Sequence, residues 1–206
     1  TNVARAALEA YYLRPNPIAK RVLLHLRPTE PMLSHVLELA SKGEKQEQIL
    51  KHFSESQDKI NKNVFKLLKD NTRIFTHCHS TNVVRALIYA KRHGKHFEVN
   101  NTETRPLYQG RQTAKELSRA GIKVTNYVDS AARLGIIKSD AVFLGADALL
   151  KNSVINKIGS GMIAEIAFDN KIPIYIIADS WKYAAKNIKI EERDFHEVWN
   201  PRTNRI

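Results

Sequence analysis

The chain has a single cysteine, Cys78, among its 206 residues. One cysteine excludes an internal disulfide and a cluster of thiolate metal ligands, and it favours a reducing compartment. No apolar run reaches the length of a membrane span, and residues 1–5 lack the basic and apolar regions of a signal peptide. The sequence therefore predicts a soluble, cytoplasmic protein without a membrane partner.

Common cofactor-binding and hydrolase motifs are also missing. No Gly-x-Gly-x-x-Gly follows the first predicted strand, which disfavours nicotinamide and flavin cofactors. The sequence also lacks the Gly-x-Ser-x-Gly elbow that would predict a serine hydrolase. Residues 156–161 lack the Gly-Lys-Ser/Thr order of a Walker P-loop, but they open a helix with two glycines and Lys157, which suits anion capture.

Positive charge is in excess. The chain has 33 Lys and Arg against 21 Asp and Glu, a formal net charge of +12 and a pI near 9.8. This balance predicts an anionic partner, either a phosphorylated metabolite or nucleic acid. Because the basic residues are scattered along the chain and form no tail or aromatic-interleaved patch, nucleic acid is the less favoured partner.

The spacing of apolar residues changes near residue 70. Before it, helical spacing predicts four helices, with Thr29 as the N-cap of the third. After it, short apolar runs alternate with helical stretches, which is typical of βα units on a parallel sheet. The predicted strands are residues 73–77, 97–100, 123–128, 141–145 and 172–178. The predicted helices between them are residues 82–92, 112–120, 129–134 and 157–170.

These patterns predict two domains, a helical one over residues 1–70 and an α/β one over residues 71–206. Residues 188–206 are predicted to be irregular. Ligands of open parallel sheets bind beyond the carboxyl ends of the strands, where the βα loops meet. Cys78 follows the first strand, residues 103–105 the second and residues 145–147 the fourth, so one crevice is expected to gather them.

Cys78 and Asp147 are the candidate chemical groups. A helix N-terminus after Cys78 would lower the pKa of its thiol and make it a nucleophile or general base, while the alternative is a small buried apolar residue. Asp147 lies in the apolar stretch 143–150, which would raise the pKa of its carboxyl and suit a general acid. The alternative is an aspartate that caps the next turn.

Residues 103–111 are a candidate phosphate site. They place Arg105 and Arg111 close to a strand end, and Gly110 lies where backbone can approach a ligand. The alternative is a surface turn in which Arg105 pairs with Glu103.

His77 and His79 flank Cys78, a pattern that can indicate a metal site. Adjacent side chains at a strand end point to opposite faces, so the three groups cannot easily share one ion. We therefore expect no metal site.

The combination of these motifs is more specific than any one of them. The motifs are Thr76-His77-Cys78-His79-Ser80, Glu103-Thr104-Arg105-Pro106 with Gln109-Gly110-Arg111, Gly145-Ala146-Asp147 and Asn156-Lys157-Ile158-Gly159. Their order and spacing resemble the superfamily of ribose-1,5-bisphosphate isomerase, methylthioribose-1-phosphate isomerase and the alpha, beta and delta subunits of translation initiation factor two-B. Within it, the chain is most similar to the ribose-1,5-bisphosphate isomerases. Arg27-Pro28-Thr29 extends the resemblance into the helical part.

The resemblance implies an α/β fold in which a small all-helical domain precedes a Rossmann-like parallel-sheet domain. It also implies a homo-oligomer assembled through the C-terminal domain, and no cofactor. Cys78 and Asp147 are the implied catalytic residues. The implied substrate-binding residues are Arg27, Glu103, Arg105, Gln109, Gly110, Arg111, Asn156, Lys157 and Lys182. His79 stands where the isomerases are expected to have Asn, so as a modulating residue it is expected either to activate the thiol or to displace a substrate contact. The family's Arg-Gly-Ala motif is expected directly before residue 1, and the family usually continues beyond residue 201.

The resemblance implies the function of an isomerase of a phosphorylated pentose, which converts ribose 1,5-bisphosphate to ribulose 1,5-bisphosphate. A sugar phosphorylated at its anomeric oxygen cannot open its ring by losing a proton from that oxygen, so Asp147 is expected to protonate the ring oxygen. Cys78 as thiolate is then expected to carry the C2 proton to C1. The alternative is a non-catalytic regulatory subunit, similar to those of factor two-B, that binds a phosphorylated ligand and a protein partner.

Overall fold

A computed structural model of the chain describes residues 2–185, 188, 190 and 192–199. Within the segment predicted to be irregular, residues 189, 191 and 200–206 lie outside the described residues. The described part of that segment contains one short 3-10 helix, Phe195–Glu197.

Helices occupy most of the chain up to residue 67. They are α1 (Asn2–Leu13), α2 (Pro17–Leu26), α3 (Pro31–Ser41) and α4 (Gln46–Leu67). Proline at the first position of α2 and α3 costs no hydrogen bond, because that N–H has no helical partner. The predicted cap of α3 was wrong by one residue, since Pro31 opens the helix and Glu30 takes the N-cap position. No described helix is both long and apolar enough to cross a bilayer.

Within the described residues, five parallel strands form one sheet in the order β3-β2-β1-β4-β7. The strands are β1 (Thr72–Thr76), β2 (Phe97–Thr102), β3 (Lys123–Tyr127), β4 (Ala141–Leu144) and β7 (Ile174–Ile176). The helices between them are α5 (Thr81–Arg92), α6 (Gln109–Arg119), α7 (Ala132–Ile136) and α8 (Ser160–Asp169). The α/β fold with a parallel sheet is therefore confirmed.

A short antiparallel hairpin, β5 (Ala148–Leu149) and β6 (Val154–Ile155), follows β4. The sequence did not predict it, because strands of two residues are too short to show an alternating pattern. Its position matters because residue 147 lies between β4 and the hairpin.

The parallel sheet is covered on both faces, as such sheets require. Ile74 of β1 packs with α4, α5 and α6 on one face, and its neighbour Phe75 packs with α7 and α8 on the other. The helices of the N-terminal part form a separate core around Leu8 and Leu33. Because α4 contributes Phe53 to that core and Val64 to the sheet core, the boundary near residue 70 stays a prediction.

Candidate active site

The loops after β1 and β4 are in direct contact at the carboxyl edge of the sheet. A Cβ added to Gly145 would lie 2.5 Å from Ser80 Oγ, so only the missing side chain lets the two loops meet. Ser80 is also the N-cap of α5. This contact brings the segment that carries Cys78 close to the segment that carries Asp147.

The backbone of Cys78 is fixed by two threonines from other elements. Its N–H donates to Thr104 Oγ1 at 2.9 Å, and Thr113 Oγ1 of α6 donates to the Cys78 carbonyl at 2.8 Å. These bonds hold Cys78 at a φ of +66°, a conformation that non-glycine residues rarely adopt. The position of the thiol is therefore set by α6 and the loop after β2 as well as by β1.

Burial raises the pKa of the Cys78 thiol, so the predicted lowering was wrong. Cys78 lies ahead of the N-terminal cap of α5 and among protein atoms, where desolvation favours the neutral thiol. The His79 N–H and the charge of Lys157 lower the pKa, and the charge of Asp147 raises it. The thiol therefore responds to both Lys157 and Asp147.

Two opposite substitutions test this electrostatic arrangement. We expect Asp147→Asn to speed alkylation of Cys78 by iodoacetamide about threefold at pH 8, because removing the negative charge lowers the thiol pKa. Lys157→Gln should slow it by a similar factor, because the thiolate loses a cation. The measurement is the alkylation rate between pH 6 and 10. Asp169→Asn, an exposed change in α8, is the control; equal rates in all four proteins would contradict the arrangement.

Asp147 lies at the junction between the α/β and the helical parts. Its N–H donates to the Ile155 carbonyl at 2.8 Å, which joins it to the hairpin. Its side chain is 39% exposed, and Oδ1 lies 4.0 Å from Nη2 of Arg27, in the turn before α3. The apolar surroundings predicted for Asp147 were therefore wrong, and a cation from the helical part faces the carboxylate.

Lys182 is a buried cation that bonds to the backbone of the segment that carries Asp147. It is 7% exposed, and its Nζ donates to the carbonyl of Ala146. Burial lowers the pKa of Lys182, while the charges of Glu30, Asp147 and Asp179 raise it. This contact anchors the residue before Asp147, and binding of substrate by Lys182 stays a prediction.

A stacked pair joins α4 to the segment that carries Lys182. His52 lies on Trp181 with ring centroids 3.4 Å apart, and its Nε2 is 3.0 Å from Asp179 Oδ1. The same carboxylate oxygen accepts the Trp181 N–H at 2.8 Å. Sequence reasoning missed this cluster because its members are 127 residues apart in the chain.

His79 turns its ring toward α6. Nδ1 is 3.0 Å from Thr113 Oγ1, and Nε2 is 3.8 Å from the Glu116 carboxylate. Because the Thr113 proton goes to the Cys78 carbonyl, its oxygen accepts the Nδ1–H of His79. Burial lowers the pKa of His79, and Glu116 raises it. Modulation of the thiol by His79 stays a prediction, with the shared threonine as its structural route.

The two arginines of the 103–111 segment both contact Tyr108. Arg111 stacks on the ring at 3.9 Å and pairs with Glu103 at 2.6 Å. Arg105 donates to the Tyr108 hydroxyl at 3.0 Å and to the Val198 carbonyl at 2.7 Å. Glu103 therefore pairs with Arg111 and not with Arg105, and phosphate binding by either arginine stays a prediction.

Asp129 fixes the start of that segment. Its two carboxylate oxygens accept the N–H groups of Thr104 at 2.9 Å and Arg105 at 2.6 Å. Thr104 in turn holds the Cys78 backbone, so the end of β3 contributes to the placement of the thiol.

Gln109 and Gly110 begin α6. Gly110 is buried against the Thr102 carbonyl, which gives the glycine a packing role. The Gln109 Oε1 atom is buried and has no hydrogen-bond partner among the described residues. That oxygen suits a ligand hydroxyl, and binding by Gln109 and Gly110 stays a prediction.

The loop before α8 carries Asn156 and Lys157. Asn156 Nδ2 donates to Ser160 Oγ at 2.9 Å, in the first residue of the helix. The charge of Lys157 acts on both His77 and Cys78, so this loop lies near the thiol. The binding role of both residues stays a prediction.

The described elements define a class: a Rossmann-like α/β protein in which Cys78 and Asp147 lie in neighbouring loops beyond the carboxyl ends of parallel strands. The chain belongs to the Initiation factor 2 subunit family, whose model matches residues 24–206. This membership confirms the resemblance drawn from the motifs.

Relatives of the chain have two kinds of name. A ribose 1,5-bisphosphate isomerase of Archaeoglobus fulgidus is 36% identical over 199 residues, which cover 87% of this chain and 64% of the relative. Translation initiation factor eIF2B subunit alpha of Dictyostelium discoideum is 34% identical over 158 residues, which cover 76% of this chain and 49% of the relative. The chain thus spans less than two thirds of the length of each of these two relatives.

A solved structure shows the same fold. The translation initiation factor eIF-2B of Pyrococcus horikoshii OT3 superposes with a TM-score of 0.86 at 23% identity, over 93% of this chain and 78% of that one.

Proposed function

We propose that the chain carries the catalytic centre of a cofactor-free sugar-phosphate isomerase that converts ribose 1,5-bisphosphate to ribulose 1,5-bisphosphate. The observation that carries the proposal is the contact between Ser80 and Gly145, which brings the loops that carry Cys78 and Asp147 together at the carboxyl edge of the sheet. A proton-transfer reaction between adjacent carbons needs such a pair. The isomerase names of the relatives support the same substrate.

Cys78 and Asp147 have complementary roles in the proposed cycle, the thiol as the base and the carboxyl as the acid. The negative charge of Asp147 raises the pKa of the thiol, so a thiolate and an ionised carboxylate disfavour each other. In the resting protein the raised pKa keeps the proton on sulfur. The reactive form in the proposed cycle has a Cys78 thiolate and a protonated Asp147.

In the reactive form, Asp147 gives its proton to the ring oxygen, and the bond between C1 and that oxygen breaks. The Cys78 thiolate takes the C2 proton, and the released electron pair forms a C1–C2 double bond. The thiol then protonates C1 while the C2 hydroxyl returns a proton to Asp147, which leaves the ketone. Both residues end as they began, and the phosphate stays on O1 throughout.

The surrounding cations suit this cycle. Arg27, 4.0 Å from Asp147, stabilises the carboxylate once it has given up its proton. Lys157 stabilises the thiolate. Two phosphate groups on the substrate supply the negative charge that these cations and the net charge of +12 attract.

The proposal is tested by incubating the protein with ribose 1,5-bisphosphate and, separately, with 5-methylthioribose 1-phosphate. We expect the ketose from the first sugar, detected by carbon NMR, and deuterium at C1 when the reaction runs in D2O, because a thiol proton exchanges with water. The absence of both turnover and binding, with either sugar, would contradict the proposal. Ketose from the methylthio sugar alone would contradict the substrate but not the chemistry.

A non-catalytic regulatory subunit is the second candidate. It is favoured by the resting state of the thiol, which burial keeps neutral, and by the name of the Dictyostelium relative. Tight binding of a sugar phosphate without turnover would support it.

For either function we also propose a homo-oligomer assembled through the α/β domain. Light scattering measures the molar mass of the assembly.

A further inference from the structure

His77 connects three segments that are far apart in the chain. It follows β1 and is 4% exposed. Its Nδ1 meets Thr102 Oγ1 at the end of β2, and its Nε2 lies 2.9 Å from the carbonyl of Ile158, 81 residues away. A carbonyl oxygen can only accept, so Nε2 carries the proton and Nδ1 accepts from the threonine. Burial lowers the pKa of His77, which favours this neutral ring.

The ring is also the surface on which the loop before α8 rests. Gly159 has a φ of +95°, and a Cβ added there would lie 3.3 Å from His77 Nε2. The backbone of residues 158 and 159 therefore packs directly on the imidazole. The neighbouring Lys157 carries the charge that lowers the pKa of Cys78.

We propose that His77 is a positioning residue that holds residues 156–159, and with them Asn156 and Lys157, beside Cys78. His77 holds this loop through the hydrogen bond that its Nε2 donates to the Ile158 carbonyl. Both ring nitrogens are engaged within the protein, so His77 acts through this loop and not on the reacting atoms. The effect on catalysis rests on the proposed isomerase; the effect on the loop does not.

Two amide substitutions separate the two bonds of the ring. The amide nitrogen of glutamine reaches the place of Nε2, whereas asparagine reaches only that of Nδ1. We expect His77→Asn to raise KM for ribose 1,5-bisphosphate about tenfold and to lower kcat as well, because Asn156 and Lys157 lose their fixed position. His77→Gln should keep KM within about threefold of the unmodified protein. His96→Asn, an exposed change before β2, is the matched control.

Two further readouts do not need enzyme activity. In His77→Asn, hydrogen exchange of the amides of residues 156–160 should be faster while exchange in β1 and β4 is unchanged. The pH midpoint of Cys78 alkylation should rise, because Lys157 moves away from the thiol.

The results discriminate in the following way. The proposal is supported if His77→Asn has a raised KM and faster hydrogen exchange in residues 156–160, while His77→Gln keeps values near those of the unmodified protein. The proposal is overturned if KM, hydrogen exchange and the alkylation midpoint are the same in both variants, because the Nε2 hydrogen bond would then make no difference. This holds whether or not those values match the unmodified protein. If the unmodified protein does not isomerise the sugar, the proposed function fails, and the exchange and alkylation measurements alone decide the role of His77.

Discussion

Replacing Cys78 with serine should lower kcat for ribose 1,5-bisphosphate by about a thousandfold, the scale on which a general base contributes to catalysis. Serine keeps the shape of the side chain and its backbone bonds to Thr104 and Thr113. A hydroxyl, however, holds its proton far more tightly than a thiol, so the C2 proton has no acceptor. KM should change less than kcat, because the binding groups remain in place. Initial rates over a range of substrate concentrations measure both values.

The companion variants separate the chemical role from packing. Cys78→Ala should lose as much activity as Cys78→Ser, because both lack a usable base. Asp147→Asn should also lose most of its activity, since the amide cannot protonate the ring oxygen. Circular dichroism and thermal unfolding establish that each variant folds. Full activity in Cys78→Ser would exclude the thiol as the base and overturn the proposed division of roles.

The regular elements could be predicted from the sequence because local signals define them. Short runs such as Ile74-Phe75 and Val142-Phe143 place one residue on each buried face of the sheet, and those runs lie inside observed strands. Helices α2 and α3 were predicted from the helical spacing of their apolar residues, and both begin at a proline in the structure. The ends of elements were less accurate, as the cap of α3 shows.

The surroundings of the candidate residues could not be predicted because distant segments create them. The thiol pKa depends on burial by α6 and on Lys157, and Asp147 meets Arg27 from another part of the chain. Lys182 was expected from the resemblance to bind substrate, and no local pattern predicted that it is buried with its Nζ donating to the Ala146 carbonyl. The partners in these contacts are 36 to 120 residues apart in the chain, so no local sequence pattern predicts them.

His77 shows what a local signal can still offer. A histidine directly before the cysteine suggested a metal ligand, but its ring bonds to Thr102 and Ile158. The ring of His79 bonds to Thr113 of α6. Alternation along a strand would place the rings of residues 77 and 79 on one side, whereas the two rings have different partners in the structure.

Gly110→Ala is expected to destabilise the protein by about 3 kcal/mol or more. The new Cβ would lie 1.7 Å from the Thr102 carbonyl oxygen and 2.8 Å from Thr104 Oγ1. The first neighbour is backbone of a central strand, which cannot move aside as a flexible side chain would. Since Asn101 Nδ2 also donates to the Gly110 carbonyl at 2.7 Å, displacing α6 breaks a buried hydrogen bond. Urea denaturation measures the change in the free energy of unfolding.

Gly161→Ala is the matched control, because the same methyl group meets nothing within 4 Å. Gly161 lies inside α8, where alanine should be neutral or stabilise by about 0.5 kcal/mol. Gly110→Ala also strains Thr102 and Thr104, which hold His77 and the Cys78 backbone. We therefore expect the surviving folded fraction to show altered alkylation of Cys78, while Gly161→Ala leaves its pH midpoint unchanged. Equal stability of the two variants would contradict the close contact between α6 and β2.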